Sequence, residues 1–106
     1  MKYKVRWTRS AETDLNEIIE YIAKDSITVA LEKLSAIRDS VSKLSAHPQR
    51  GKIIPELKKH NITKYRELLF PPWRILFKIE KDIVYILAVI DGRRNLEDLL
   101  LQRQLR

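Results

Sequence analysis

The sequence predicts a single α+β domain over residues 1–106: an N-terminal strand and a helical hairpin packed on an antiparallel sheet, a C-terminal three-stranded meander that completes the sheet, and a short C-terminal helix. Three observations predict it. The first residues alternate apolar and polar with the period of a strand; residues 11–44 carry apolar side chains at helical spacing; from Tyr65 the two-residue pattern returns, broken twice by turns.

From Lys2 to Thr8, Tyr3, Val5 and Trp7 share one face and Lys2, Lys4 and Arg6 the other, which is a half-buried strand. Thr8 or Ser10 can cap the helix that follows. Its apolar positions are Ala11, Leu15, Ile18, Ile19 and Ile22, with Glu12 and Asp14 near the positive end of its dipole, and it runs to about Lys24. Ser26 caps a second helix whose seam is Ile27, Ala30, Leu34, Ile37, Val41 and Leu44. That seam covers fewer than three heptads, and a helix of similar length lies just upstream, so it reads as a hairpin within the chain rather than a dimeric coiled coil. The stretch His47-Pro48-Gln49-Arg50-Gly51-Lys52 ends the helix, and Pro55 keeps regular structure from resuming at once.

Three strands follow as a meander: Tyr65 to Phe70, Trp73 to Glu80, and Ile83 to Ile90, with Pro71-Pro72 and Lys81-Asp82 at the turns. The last of these is apolar at every position, which requires cover on both faces. The helical hairpin supplies one cover. The segment Asn95 to Arg106, with Leu96, Leu99 and Leu100 near helical spacing, is left to dock on the other face or on a partner.

The chain has no cysteine, which removes disulfide, zinc-thiolate, iron-sulfur and thiol-nucleophile chemistry and fits a reducing cytoplasm. No stretch is long and apolar enough to span a membrane, and the N-terminus lacks a signal-like apolar core. The net charge of +7 is uneven. Residues 1–46 hold 8 basic and 7 acidic side chains, residues 47–106 hold 13 and 7, so the excess lies in the C-terminal half and predicts a polyanionic partner, nucleic acid or an acidic protein segment.

Strand alternation separates Arg74, Leu76 and Lys78 from Trp73, Ile75, Phe77 and Ile79, so Arg74 points away from the main core. Arg66 shares a face with Leu68 and Phe70, and hairpin pairing offers a way to bring it near Arg74; Arg93 and Arg94 leave the last strand just after Asp91-Gly92. Arg66, Arg74, Arg93 and Arg94 are therefore candidates for one anion-binding cluster at an end of the sheet, since like charges gather where an anion neutralises them. The alternative is local pairing with Glu67, Asp91, Glu97 or Asp98. His47 and His60 read as solvated loop residues. Gly51 and Gly92, the only glycines, exclude a glycine-rich phosphate cradle, and no metal or cofactor is expected.

The order of elements and their local sequences resemble the RelE/ParE superfamily of type II toxin-antitoxin toxins. The resemblance is carried by Tyr3 to Trp7 with Ala11, Asp14-Leu15 and Tyr21-Ile22; by His47-Pro48 with Gly51; and by Tyr65-Arg66-Glu67-Leu68, Trp73-Arg74-Ile75 and Val89-Ile90-Asp91-Gly92-Arg93-Arg94. It implies a cytoplasmic toxin of a plasmid-stabilisation-type module, held inactive by a cognate antitoxin, which either poisons DNA gyrase, as ParE-like members do, or cleaves mRNA on the ribosome, as RelE-like members do. For cleavage, the resemblance makes Arg66, Arg74 and Arg94 candidate catalytic residues, with His60 as a stand-in acid or base. The second sheet lysine of RelE-like toxins corresponds, however, to Leu68, and their C-terminal tyrosine to Leu100 or its neighbour Leu99, neither of which transfers a proton. Tyr65-Arg66-Glu67-Leu68 and Gly92-Arg93-Arg94 look more like the ParE branch, in which the arginines are binding residues. A degenerate member that only binds its antitoxin is the third expectation, and whether the chain is an enzyme stays open.

Overall fold

The computed structural model describes residues 2–103, except the side chains of residues 100–103. Strand β1, Lys4–Trp7, leads into helix α1, Arg9–Ala23, and helix α2, Ile27–Ser42. Thr8 is the N-cap of α1: its hydroxyl oxygen accepts from the Ala11 amide at 3.2 Å and donates to the Ile86 carbonyl at 2.8 Å, so one side chain fixes both the start of the helix and its position over the sheet. Ser26 caps α2 through the Val29 amide, as its sequence position predicts. A bidentate ion pair joins the two helices, Arg38 to Glu12 at 2.8 and 2.9 Å, and the same guanidinium lies 4.6 Å from the Trp7 ring centre.

Beyond two short 3-10 turns come strand β2, Lys52–Ile53, and a single helical turn, α3, Pro55–Lys58. Both depart from the expectation of a bare loop. A two-residue strand is too short to show alternation, and Pro55 occupies the first helical position, where its missing N–H costs nothing. Strands β3, Tyr65–Phe70, β4, Trp73–Glu80, and β5, Ile83–Asp91, form the meander, and helix α4, Leu96–Arg103, closes the described chain.

The strand order is β1-β5-β4-β3-β2, and β1 runs parallel to β5, so the sheet is mixed rather than wholly antiparallel. The meander leaves β5 with an open edge. A parallel β1 fills it and delivers α1 onto the half of the sheet where Ala11 and Leu15 meet Val89, which an antiparallel strand would not do. Since β1 ends opposite Ile86, that edge of β5 has no strand neighbour beyond it among the described residues; there the buried carboxylate of Asp14 accepts from the Val89 amide at 2.9 Å. Asp14→Ala is expected to lower stability by about 1–3 kcal/mol, the cost of stranding a buried donor, read as a lower urea midpoint.

Both faces of the sheet are covered. On the first face, Ala11, Leu15, Ile37, Val41 and Leu44 of the helical half pack on Leu68, Ile75, Phe77, Val84, Ile86 and Val89. On the second, Ile54, Leu57, Leu96 and Leu99 pack on Tyr65, Leu76, Leu87, Ala88 and Ile90, so α4 docks on its own sheet. A bulge in β5 makes this division possible: Leu76 pairs with Ala88 but Phe77 with Ile86, leaving Leu87 as the extra residue, and Leu87 and Ala88 both join the second core. Ile27, expected in the helical seam, is 68% exposed because α1 has ended at Ala23 and offers it nothing to pack against. Among the described residues no helix is long and apolar enough to cross a membrane.

Candidate functional site

Arg74 leaves the second face of β4, paired with Leu69 of β3 on one side and Ile90 of β5 on the other. Its side chain is only 11% exposed and every guanidinium nitrogen is engaged: Nε donates to Glu67, and Nη1 and Nη2 donate to the two carboxylate oxygens of Glu56 at 2.6 and 2.8 Å. Glu67 is buried beneath this pair, and the Lys52 ammonium stands 3.8 Å from its second oxygen. Glu56 reaches the site because Pro55 starts α3 one residue earlier. The arginine is thus enclosed by two carboxylates, its pKa raised above the ordinary value by the Glu56 hydrogen bonds first and the Glu67 bond next, against the opposing effect of burial.

The same pairing holds the Glu56 carboxyl below its usual range, as Arg38 does for Glu12. Carboxyls depressed in the folded state contribute stability that is fully present above the ordinary value of 4.5 and is lost as pH falls through the depressed folded values. The urea midpoint should therefore be level from about pH 7 to 5 and fall below that, and Glu56→Gln should flatten part of the fall.

Arg66 does not join Arg74. The register pairs Arg66 with Phe77 and Leu68 with Ile75, which puts Arg66 on the helical-hairpin side, where its Nη1 donates to the Gly51 carbonyl at 2.8 Å. Arg93 and Arg94 do lie at the Arg74 end: the Gly92 amide donates to the Pro72 carbonyl at 2.8 Å, and Gly92 backs onto the aliphatic stem of Arg74. Arg93 is 85% exposed and bound twice by Asp91, Nε to Oδ1 at 3.0 Å and Nη2 to Oδ2 at 2.7 Å, which holds the Asp91 carboxyl down to about 2. Arg94 is exposed and makes no ion pair among the described residues. His60, just after α3, is exposed and 3.9 Å from Glu97, which also holds Lys59 at 3.0 Å. Of the carboxylates the sequence offers the arginines, Glu67 and Asp91 take them; Glu97 does not, and Glu56 carried no signal in the sequence.

Arg93 and Arg94 form the rim of a groove of about 610 Å³ between the helical hairpin and the Pro72 turn. Ile18, Ile22, Trp73 and Ile90 supply apolar lining, and Tyr21 and Val29 at its mouth are 73% and 41% exposed. Lys33 adds a third cation, and Glu17 and Asp14 line the side of α1. Ile22, an apolar position of α1 outside the helical core, and the exposed Tyr21 beside it were the available sign of this groove.

Residues 5–96 match the family described as the ParE toxin of the type II toxin-antitoxin system parDE. Toxin ParE3 of Caulobacter vibrioides is 29% identical over 90 residues, covering 84% of this chain and 86% of that protein. Among solved structures, a chain of the chromosomal ParDE toxin-antitoxin system from P. aeruginosa shares the fold with a TM-score of 0.70 at 22% identity, over 85% of this chain and 96% of that one. The toxin-antitoxin complex RelBE2 from Mycobacterium tuberculosis gives 0.61 at 26% identity, over 86% and 92%. Fold and matches together define a type II toxin-antitoxin toxin of the RelE/ParE superfamily. Within that superfamily, the chain belongs to the ParE toxin family.

Proposed function

We propose that this toxin arrests growth in the cytoplasm by binding DNA gyrase and is neutralised by a cognate antitoxin. The observation that carries the choice of target is the enclosure of Arg74. An arginine already neutralised by Glu56 and Glu67 is a poor stabiliser for the charge that develops in phosphodiester cleavage, which calls for a preorganised, unspent cation. Leu68, where RelE-like toxins carry a lysine, and Leu99, one of the two positions that correspond to their C-terminal tyrosine, are buried in the two cores and transfer no proton; the side chain of Leu100, the other position, lies outside the described residues. Arg93 and Arg94 then serve as binding residues, with Arg74 supporting the surface that presents them, while Arg66 stays on the helical-hairpin face with its guanidinium on the Gly51 carbonyl.

For the antitoxin, the groove rimmed by Lys33, Arg93 and Arg94 suits an acidic amphipathic segment that folds as it binds, its apolar side on Ile18, Ile22 and Trp73. Induction of the protein without its antitoxin, followed by parallel mapping of mRNA 5′ ends and gyrase-linked DNA breaks, tests the target. Breaks with intact mRNA are expected. New codon-phased mRNA ends without breaks would replace this reading by an interferase, and neither signal, with antitoxin binding intact, would mark a member that has lost toxicity.

A further inference from the structure

The end of the sheet remote from Arg74 concentrates charge of another kind. On the second face the register aligns Arg6 of β1 with Tyr85 of β5, Tyr85 with Lys78 of β4, and Lys78 with Tyr65 of β3, a single row across four strands. In the next row Lys4 stands beside Ile83 and Ile83 beside Glu80. Helices α3 and α4 cover Leu76, Leu87, Ala88 and Ile90 but leave this corner open: Lys2, Lys4 and Arg6 are exposed and make no ion pair among the described residues. Nothing in the gyrase or antitoxin reading uses them.

The acids here are outnumbered. Glu80 takes the Lys78 ammonium at 2.8 Å and the Lys64 ammonium at 3.9 Å, and Lys78, Lys64 and Lys81 together hold its carboxyl below the ordinary value. With Asp82 it is set against Lys2, Lys4, Arg6, Lys64, Lys78 and Lys81. Cations gathered this densely attract a polyanion and gain from the counterions it releases.

The aromatic rings decide which polyanion. Tyr65 is 8% exposed, the Lys64 ammonium lies 5.7 Å from its ring centre, and the Lys78 ammonium lies at the same distance from Tyr85. Single-stranded nucleic acid is held by bases stacking on open rings, and here the rings are covered by ammonium groups or buried. What the corner presents is a set of exposed cations, Lys2, Lys4, Arg6, Lys64 and Lys81, around a largely buried Lys78 held by Glu80, the chemistry that tracks a phosphate backbone.

We infer that the corner formed by Lys2, Lys4, Arg6, Lys64, Lys78 and Lys81 is a docking site for the backbone of duplex DNA. The inference rests on the gyrase reading for its biological setting, since gyrase presents its poison with a DNA duplex, and it adds a second binding surface separate from the Arg93 and Arg94 rim.

The test is binding of the purified full chain to a short fluorescent duplex of mixed sequence, followed by anisotropy from about 50 to 200 mM salt. Affinity should fall steeply with salt. The triple variant Lys4→Ala, Arg6→Ala, Lys81→Ala should reduce the slope of log K against log salt by about 0.9 for each phosphate it no longer neutralises, and Arg93→Ala with Arg94→Ala should leave the slope as it is. All five positions are exposed, so an unchanged thermal transition is expected and excludes misfolding as the cause. Equal duplex binding by the triple variant, no duplex binding by the parent chain at the lowest salt, or tighter binding to a single strand each overturn the site. The assay contains no gyrase, so its failure leaves the gyrase reading to the break mapping, and failure of the break mapping leaves the duplex affinity standing.

Discussion

Replacing Glu67 by alanine is expected to cost about 3–5 kcal/mol, the scale for removing one partner from a buried ion pair. Glu67 is 3% exposed and Arg74 11%, so the guanidinium left behind cannot turn to water; it keeps Glu56 but loses the acceptor for its Nε. Chemical denaturation measures the loss, and a decrease under about 1 kcal/mol would mean that solvent reaches Arg74 more easily than its burial indicates. Removing both charges is a different experiment. Arg74→Met with Glu67→Leu fills the same space with apolar groups and is expected to be near neutral or stabilising, while Glu56, 31% exposed, rehydrates. This bears on function, because Arg74→Ala alone strands Glu67 and would lower growth arrest merely by lowering the folded population. Arrest by the stable double variant reports whether the guanidinium itself is needed. Arrest at the parent level, at equal protein concentration, removes Arg74 from the working surface and leaves Arg93 and Arg94 to carry it.

The sequence made the elements legible where a period could be read, and failed where the outcome depended on pairing. Tyr3, Val5 and Trp7 alternate and do lie on the helical core, and Ser26 stands where a cap must; the three meander strands fall within a residue of the expected limits. The parallel sense of β1 was invisible because a four-residue strand reads the same in either direction, and only the docking of α1 decides it. Register was equally hidden. Arg66 lies on the face of Phe77 and not of Arg74 because β3 pairs Leu68 with Ile75, and a slip of one residue would have reversed that. The bulge at Leu87 sits in a run that is apolar throughout, so an extra residue leaves no mark on the pattern. At the candidate site Arg74, Arg93 and Arg94 lie together at one end of the sheet as their positions suggested, Arg66 does not, and Glu56 was not readable, since the turn of helix that carries it exists only where Ile54 and Leu57 find the second core.

Gly51→Ala is expected to be among the most damaging single-methyl additions in this chain. The backbone there is ordinary extended structure, φ −77 and ψ 145, which any residue adopts, so the requirement for glycine is steric alone. A Cβ on Gly51 would stand 2.3 Å from Phe77 Cζ and 2.9 Å from the Glu67 carbonyl oxygen. Phe77 is fully buried among Leu68, Ile75, Ile86 and their neighbours and has no room to retreat, so relief must come from moving the segment that holds Gly51. The cost should reach about 3 kcal/mol, the upper end for overpacking, or a fall in Tm of roughly 10 °C or more. The damage should also spread, because the Gly51 carbonyl accepts from Arg66 and the next residue, Lys52, pairs with β3 opposite Glu67. Shifting β2 therefore disturbs the approach to Glu56 and the enclosure of Arg74. Phe77→Leu shortens the ring that obstructs the new methyl, so the double variant should be more stable than the sum of the two single losses predicts, a coupling readable in a double-mutant cycle. Strict additivity would mean that the backbone, and not Phe77, absorbs the added methyl.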